Sequence, residues 1–173
     1  MFYLFFGIEK KSFVRKKYFR GEKKSEKVIL RVIDYDEYNL DELSLGSIDE
    51  VIKFHTTKST SWFNVDGLHD ENIMQEISNA FDLEPTILAD VMNTHARPKI
   101  HEYDNCIYIS VKMLQYDEVL NYISGENLVI IIKENIIITF QEKPGDVFEP
   151  LRERIRKNKR RLRTSSTDYL AFA

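Results

Sequence analysis

Two apolar runs, Leu128-Val129-Ile130-Ile131-Ile132 and Ile136-Ile137-Ile138, stand on either side of Glu134-Asn135. A strand sends successive side chains to opposite faces of its sheet, so a half-solvated strand alternates apolar and polar residues. Neither run alternates. Strands of this kind have no polar face to give to water, and they belong in the middle of a sheet covered on both sides. Glu134-Asn135 reads as the two-residue turn of a hairpin between them.

The flanking sequence supplies the rest of the sheet and its cover. Val28 to Tyr35 is rich in β-branched residues and reads as a strand, and Tyr38 to Leu45 alternates in part and reads as a second. Ser61 to Asp66 is a short strand stopped at Gly67. Lys99 to Tyr103 and Cys106 to Leu114 flank Asp104-Asn105 as a further hairpin. Ser47 with Glu50 three residues on has the form of a capping box and predicts a short helix through about Phe54. Asp70 is placed to cap a helix with Ile73, Met74, Ile77 and Phe81 on one face. Pro85 suits the first turn of the next helix, which carries Ile87, Leu88, Val91 and Met92 and must end before Pro98.

After Pro144-Gly145 the period changes to that of a helix, with Phe148, Leu151, Ile155 and Leu162 near one stripe and Pro150 in the first turn. A new apolar-periodic segment begins at Ser165. The predicted fold is α/β (α+β-like): a mixed, mainly antiparallel sheet with helices on both faces, ending in the start of a long helix. The division is one α/β domain over 1–163 and the beginning of that helix over 164–173.

Composition fits a globular chain: 173 residues, 43% hydrophobic and 31% charged. A single cysteine, Cys106, forbids an intramolecular disulfide and suits a reducing compartment. It lies in the strand-like Asn105 to Ile109, where a small buried side chain is the plain reading. Met1 to Ile8 is apolar but lacks the basic region and cleavage site of a signal peptide. No run approaches the ~20 residues of a membrane span. A net charge of −3 points to neither nucleic acid nor a membrane surface. Residues 9–27 are basic with little periodicity and read as a mobile or edge segment.

No catalytic constellation is visible. There is no Gly-rich phosphate loop, Cys-x-x-Cys, His-Glu-x-x-His or Gly-x-Ser-x-Gly motif, so no enzyme activity is expected. The four histidines, His55, His69, His95 and His101, read as surface or packing residues. Arg152 to Arg163 holds eight Lys or Arg against one Glu. It has no aromatic residue to stack a base, so a solvated face paired with acidic neighbours is favoured over nucleic acid.

Asp90 stands apart from the other acidic residues. On a helical wheel Ile87, Leu88 and Val91 cluster, and Asp90 lies roughly 130° from the middle of that cluster. It has no Lys or Arg within four residues on either side. An outward carboxylate without a local partner is what a cation site between subunits would use, although such residues are more often simply solvated.

The order of residues adds a resemblance. Thr94-His95-Ala96-Arg97-Pro98-Lys99-Ile100-His101-Glu102-Tyr103 and Tyr108 to Leu114 resemble the CorA magnesium-transporter family. So do Phe140-Gln141-Glu142-Lys143-Pro144-Gly145-Asp146-Val147-Phe148, Pro150 to Arg156, Asp168-Tyr169-Leu170 and Trp62 to His69. The resemblance runs from about Tyr18 to the end. It implies the cytosolic domain of a homopentameric Mg²⁺ channel, at the cytoplasmic face of the cell membrane, with a stalk helix starting near 164 and membrane helices beyond Ala173. It implies a regulatory Mg²⁺ site, with Co²⁺ as a further ion, to which Asp90 contributes; Ala89 departs from members with an acidic residue there. The alternatives are a zinc-transporting relative, or a stand-alone nucleic-acid-binding module using the basic helix over 152–163.

Overall fold

The structure, a computed structural model, describes residues 18–56, 58–158 and 161–173. The apolar stretch Met1 to Ile8 and the basic residues 9–17 lie outside them. Among the described residues seven strands form one sheet: β1 (Ile29–Tyr35), β2 (Leu40–Leu45), β3 (Thr60–Asp66), β4 (Lys99–Tyr103), β5 (Cys106–Asp117), β6 (Tyr122–Lys133) and β7 (Ile136–Gln141). Their spatial order is β2-β1-β3-β7-β6-β5-β4. Among these strands β3 and β7 run parallel and the other neighbours are antiparallel. The helices are α1 (Asp49–Ile52), α2 (Glu71–Ala80), α3 (Pro85–Val91), α4 (Glu149–Arg156) and α5 (Thr167–Phe172).

The central position of the isoleucine runs follows from their two apolar faces. β6 and β7 are inner strands, joined at Glu134-Asn135 with Lys133 opposite Ile136. Ile131 and Ile138 point into a core formed with α1, α2 and α3. Ile137, with the half-buried Ile130 and Ile132, points the other way, towards Ile155 of α4 and Leu170 of α5. Each face is thus covered by its own helices. The β4–β5 hairpin turns at Asp104-Asn105, with Tyr103 opposite Cys106.

Local signals decide the helix ends. The Asp70 side chain accepts from the amides of Asn72 and Ile73 at the start of α2. Pro85 opens α3, where its missing N–H is harmless. Gly67 leaves β3 with φ +92, and a Cβ there would meet the Lys27 carbonyl at 3.1 Å.

Two expectations are corrected. Ser47 does not cap α1: Ile48 holds that position, in helical backbone geometry and with no side-chain bond, so the box never closes. Leu162 does not continue α4. That helix stops at Arg156, Asn158 follows at φ +47, and Leu162 belongs to a separate 3₁₀ turn, Leu162–Thr164. Its side chain still reaches the same core as Ile155, which is why the periodicity looked continuous. Among the described residues no helix is long and apolar enough to cross a membrane.

Candidate functional site

Asp90 sits near the end of α3. Ile87, Leu88 and Val91 are buried, and the Asp90 side chain faces away from them, 31% exposed. It borders a surface pocket of about 290 Å³ with Tyr18, Arg20, Pro85, Thr86, Ala89 and Asn93. The outward direction read from the wheel is therefore present. The lack of a partner is not: Lys99 of β4 places its Nζ 2.5 Å from Asp90 Oδ2. A search of four residues either way finds only helix neighbours, whereas the chain reverses after α3 and returns Lys99 across Pro98. The Lys99 ammonium also stands 5.2 Å from the centroid of the Tyr108 ring.

No group of three or more His, Cys, Asp or Glu residues able to hold a metal is found among the described residues. Asp90 is therefore a single hard oxygen donor rather than part of a complete cage. His95 and His101 are exposed, and the His101 ring meets Tyr103 edge-on at 4.4 Å; the His55 side chain lies outside the described residues. The Cys106 thiol is buried, and burial pushes its pKa up, away from the reactive thiolate.

The basic stretch after Phe148 is largely engaged within the fold. Arg156 binds Glu42 at 2.7 Å and Glu153 at 3.0 Å, and also pairs with Glu149. Lys157 pairs with Glu153 at 2.5 Å, and Arg163 donates to the carbonyls of Ile155 and Arg156. Lys159 and Arg160 lie outside the described residues. Arg152 is buried rather than solvated: its guanidinium lies 5.0 Å from the Trp62 ring centroid, and it donates two bonds to Asp146.

That last pair anchors a polar network which sequence reasoning did not find. Asp66, at the end of β3, accepts from Arg31 at 2.7 Å and from Asn64 at 2.8 Å. Thr139 of β7 donates to Asn64 and accepts from the Trp62 indole at 3.0 Å. Asp146 accepts from Arg152, from the Phe148 amide and from Gln141. Burial raises the Asp146 carboxyl pKa, but Arg152 and the Phe148 amide outweigh it and hold the group below the ordinary carboxylate range. At Asp66 burial prevails over Arg31 and Asn64, and the pKa is raised. The network fixes α4 to the sheet.

Comparison with known proteins places this architecture. The family described as "CorA-like Mg2+ transporter protein" matches residues 57–172. The chain belongs to this family. A curated relative, the cobalt/magnesium transport protein CorA of Thermotoga maritima, is 33% identical over 144 residues, covering 83% of this chain and 41% of the relative. This chain thus spans about two fifths of that relative's length. The soluble domain of CorA from Methanocaldococcus jannaschii has a TM-score of 0.51 at 16% identity, over 74% of this chain and 47% of that one. The ZntB cytoplasmic domain from Vibrio parahaemolyticus has a TM-score of 0.51 at 12% identity, over 75% of this chain and 51% of that one. Full-length CmaX has a TM-score of 0.62 at 9% identity, over 80% of this chain and 42% of that one. These structural likenesses speak for the fold alone.

Proposed function

We propose that this chain is the cytosolic divalent-cation-sensing part of a CorA-like Mg²⁺ channel or transporter, which carries Mg²⁺ and Co²⁺ across the membrane as a homopentamer. Asp90 contributes to a regulatory Mg²⁺ site at the subunit interface, and the helix that starts at Thr167 leads towards the stalk. The observation that carries this reading is the outward Asp90 carboxylate beside an open pocket on the surface of α3.

The donor chemistry fits. Mg²⁺ prefers hard oxygen ligands, keeps several waters and binds through one or two carboxylates, so a single Asp per subunit suits a weak, shared site. Among the described residues no His or Cys lines the pocket around Asp90, as a softer zinc site would require. Arg152, Arg156, Lys157 and Arg163 are already paired, which disfavours the nucleic-acid alternative.

Facing carboxylates ~5 Å apart repel by about 3 kcal/mol at an effective dielectric of 20. An ion-free interface is then strained, and Mg²⁺ draws the subunits together. At an ion concentration equal to Kd each site adds about 0.4 kcal/mol to the assembled state, so five together bias a gate without locking it. The test is Asp90→Asn in the full-length protein, scored by Mg²⁺ inhibition of current. A right-shifted inhibition curve is expected, and an unchanged curve rejects the role of Asp90.

A further inference from the structure

Four carboxylates are buried around one end of β3, β6 and β7. Three have their own cation: Asp66 with Arg31 at 2.7 Å, Glu142 with Lys24 at 2.6 Å, and Asp146 with Arg152 at 2.5 Å. The fourth, Glu126 of β6, has none among the described residues. It is 4% exposed, and neither of its carboxylate oxygens has a hydrogen-bond partner among the described residues. Opposite it on β5 stands Met113, also buried and with no donor to offer.

Gln115 shares the face of β5 that carries Met113, and its amide donates to the Gly145 carbonyl at 3.0 Å. The next residue of the same loop, Asp146, is held by Arg152 and Gln141. The loop over residues 143–147 is therefore tied down at Gly145 and Asp146. An ionised carboxylate without donor or counter-ion is strongly disfavoured in such a place. A neutral carboxylic acid is not.

We propose that Glu126 is a proton-binding site: with the proton on, the loop over 143–147 closes over a neutral acid, and with the proton off, the charge draws in Lys143 and water and loosens that loop. The charged groups acting on Glu126 are Lys143 and Glu142 after β7, Lys24 from the segment before β1, and Asp66 of β3. Burial is the largest influence and raises the carboxyl; Lys143 and Lys24 lower it, Glu142 and Asp66 raise it, and together they bring it from 4.5 up to about 7. An acid whose pKa is raised by folding holds its proton more tightly in the folded state. Its contribution is fully favourable below about 4.5, is lost as pH rises towards 7, and is flat above. Because the loop leads directly into α4, the proton state reaches the helices that cover the second face of the sheet.

The experiment is thermal unfolding of the 173-residue chain between pH 5.5 and 8, wild type against Glu126→Gln, whose amide mimics the neutral acid. The wild type should lose roughly 4–8 °C more in Tm over that range than the variant, and the variant should melt higher at pH 8. Parallel curves overturn the proposal. Should the variant fail to fold, ¹³C NMR titration of the Glu126 carboxyl in the wild type decides: a midpoint near 7 supports the site, and one near 4.5 overturns it. Lys143→Met should move that midpoint further up, and an unmoved midpoint rejects the coupling to the loop.

Discussion

The Lys99 ammonium meets the Asp90 carboxylate at 2.5 Å although β4 and α3 are separated by the turn through Pro98. Both side chains remain partly exposed, so the contact contributes no more than about 1 kcal/mol to folding. Its consequence for ion binding is larger. A cation that uses Asp90 must compete with Lys99.

Lys99→Met should therefore leave stability within about 1 kcal/mol of wild type in a denaturant melt. In the full-length protein it should lower the Mg²⁺ concentration needed for protection from protease. If protection instead needs more Mg²⁺, Lys99 helps to build the site rather than competing for it.

Arg152 and Asp146 behave differently because both are buried. Asp146→Asn leaves a guanidinium beside Trp62 with its counter-charge gone, and should cost about 3–5 kcal/mol. Adding Arg152→Met to Asp146→Asn removes the stranded charge and should restore part of that loss, measured as the urea midpoint. A double variant weaker than the sum of the two singles would show that packing against Trp62, and not the charge pair, holds α4.

The acid side of the stability curve should carry the same signature. Asp146 has a pKa lowered in the folded state, so its contribution is present above the ordinary value of 3.8 and is lost as pH falls through the lowered one. Asp66 has the opposite sign: its raised pKa disfavours the folded state as pH rises past 3.8. Asp146→Asn should therefore flatten the fall in stability at low pH, and Asp66→Asn should steepen it. Equilibrium urea melts between pH 3 and 6 would read both slopes.

The layered sheet was legible because Ile130 to Ile132 and Ile136 to Ile138 leave no face for water, and no other arrangement buries both sides. Asp70 and Pro85 were legible because caps act within three residues. Ser47 failed for the same local reason, since a cap needs extended backbone and Ile48 took the position. Lys99 beside Asp90, Arg31 beside Asp66 and Arg152 beside Asp146 were not readable, because strand order and loop path decide such contacts. Glu126 sits in Ser124-Gly125-Glu126-Asn127, a run that looks solvent-facing, and its burial depends on segments distant in sequence. Of the candidate site, the direction of Asp90 was readable and its neutralising partner was not.

The most direct measurement is limited proteolysis of the full-length protein across a Mg²⁺ titration, wild type against Asp90→Asn. Loss of one carboxylate ligand worth about 1.4 kcal/mol per site shifts protection to roughly tenfold higher Mg²⁺. That shift is the predicted result. Two superimposed protection curves would show that Asp90 serves only its contact with Lys99 and that Mg²⁺ is sensed elsewhere.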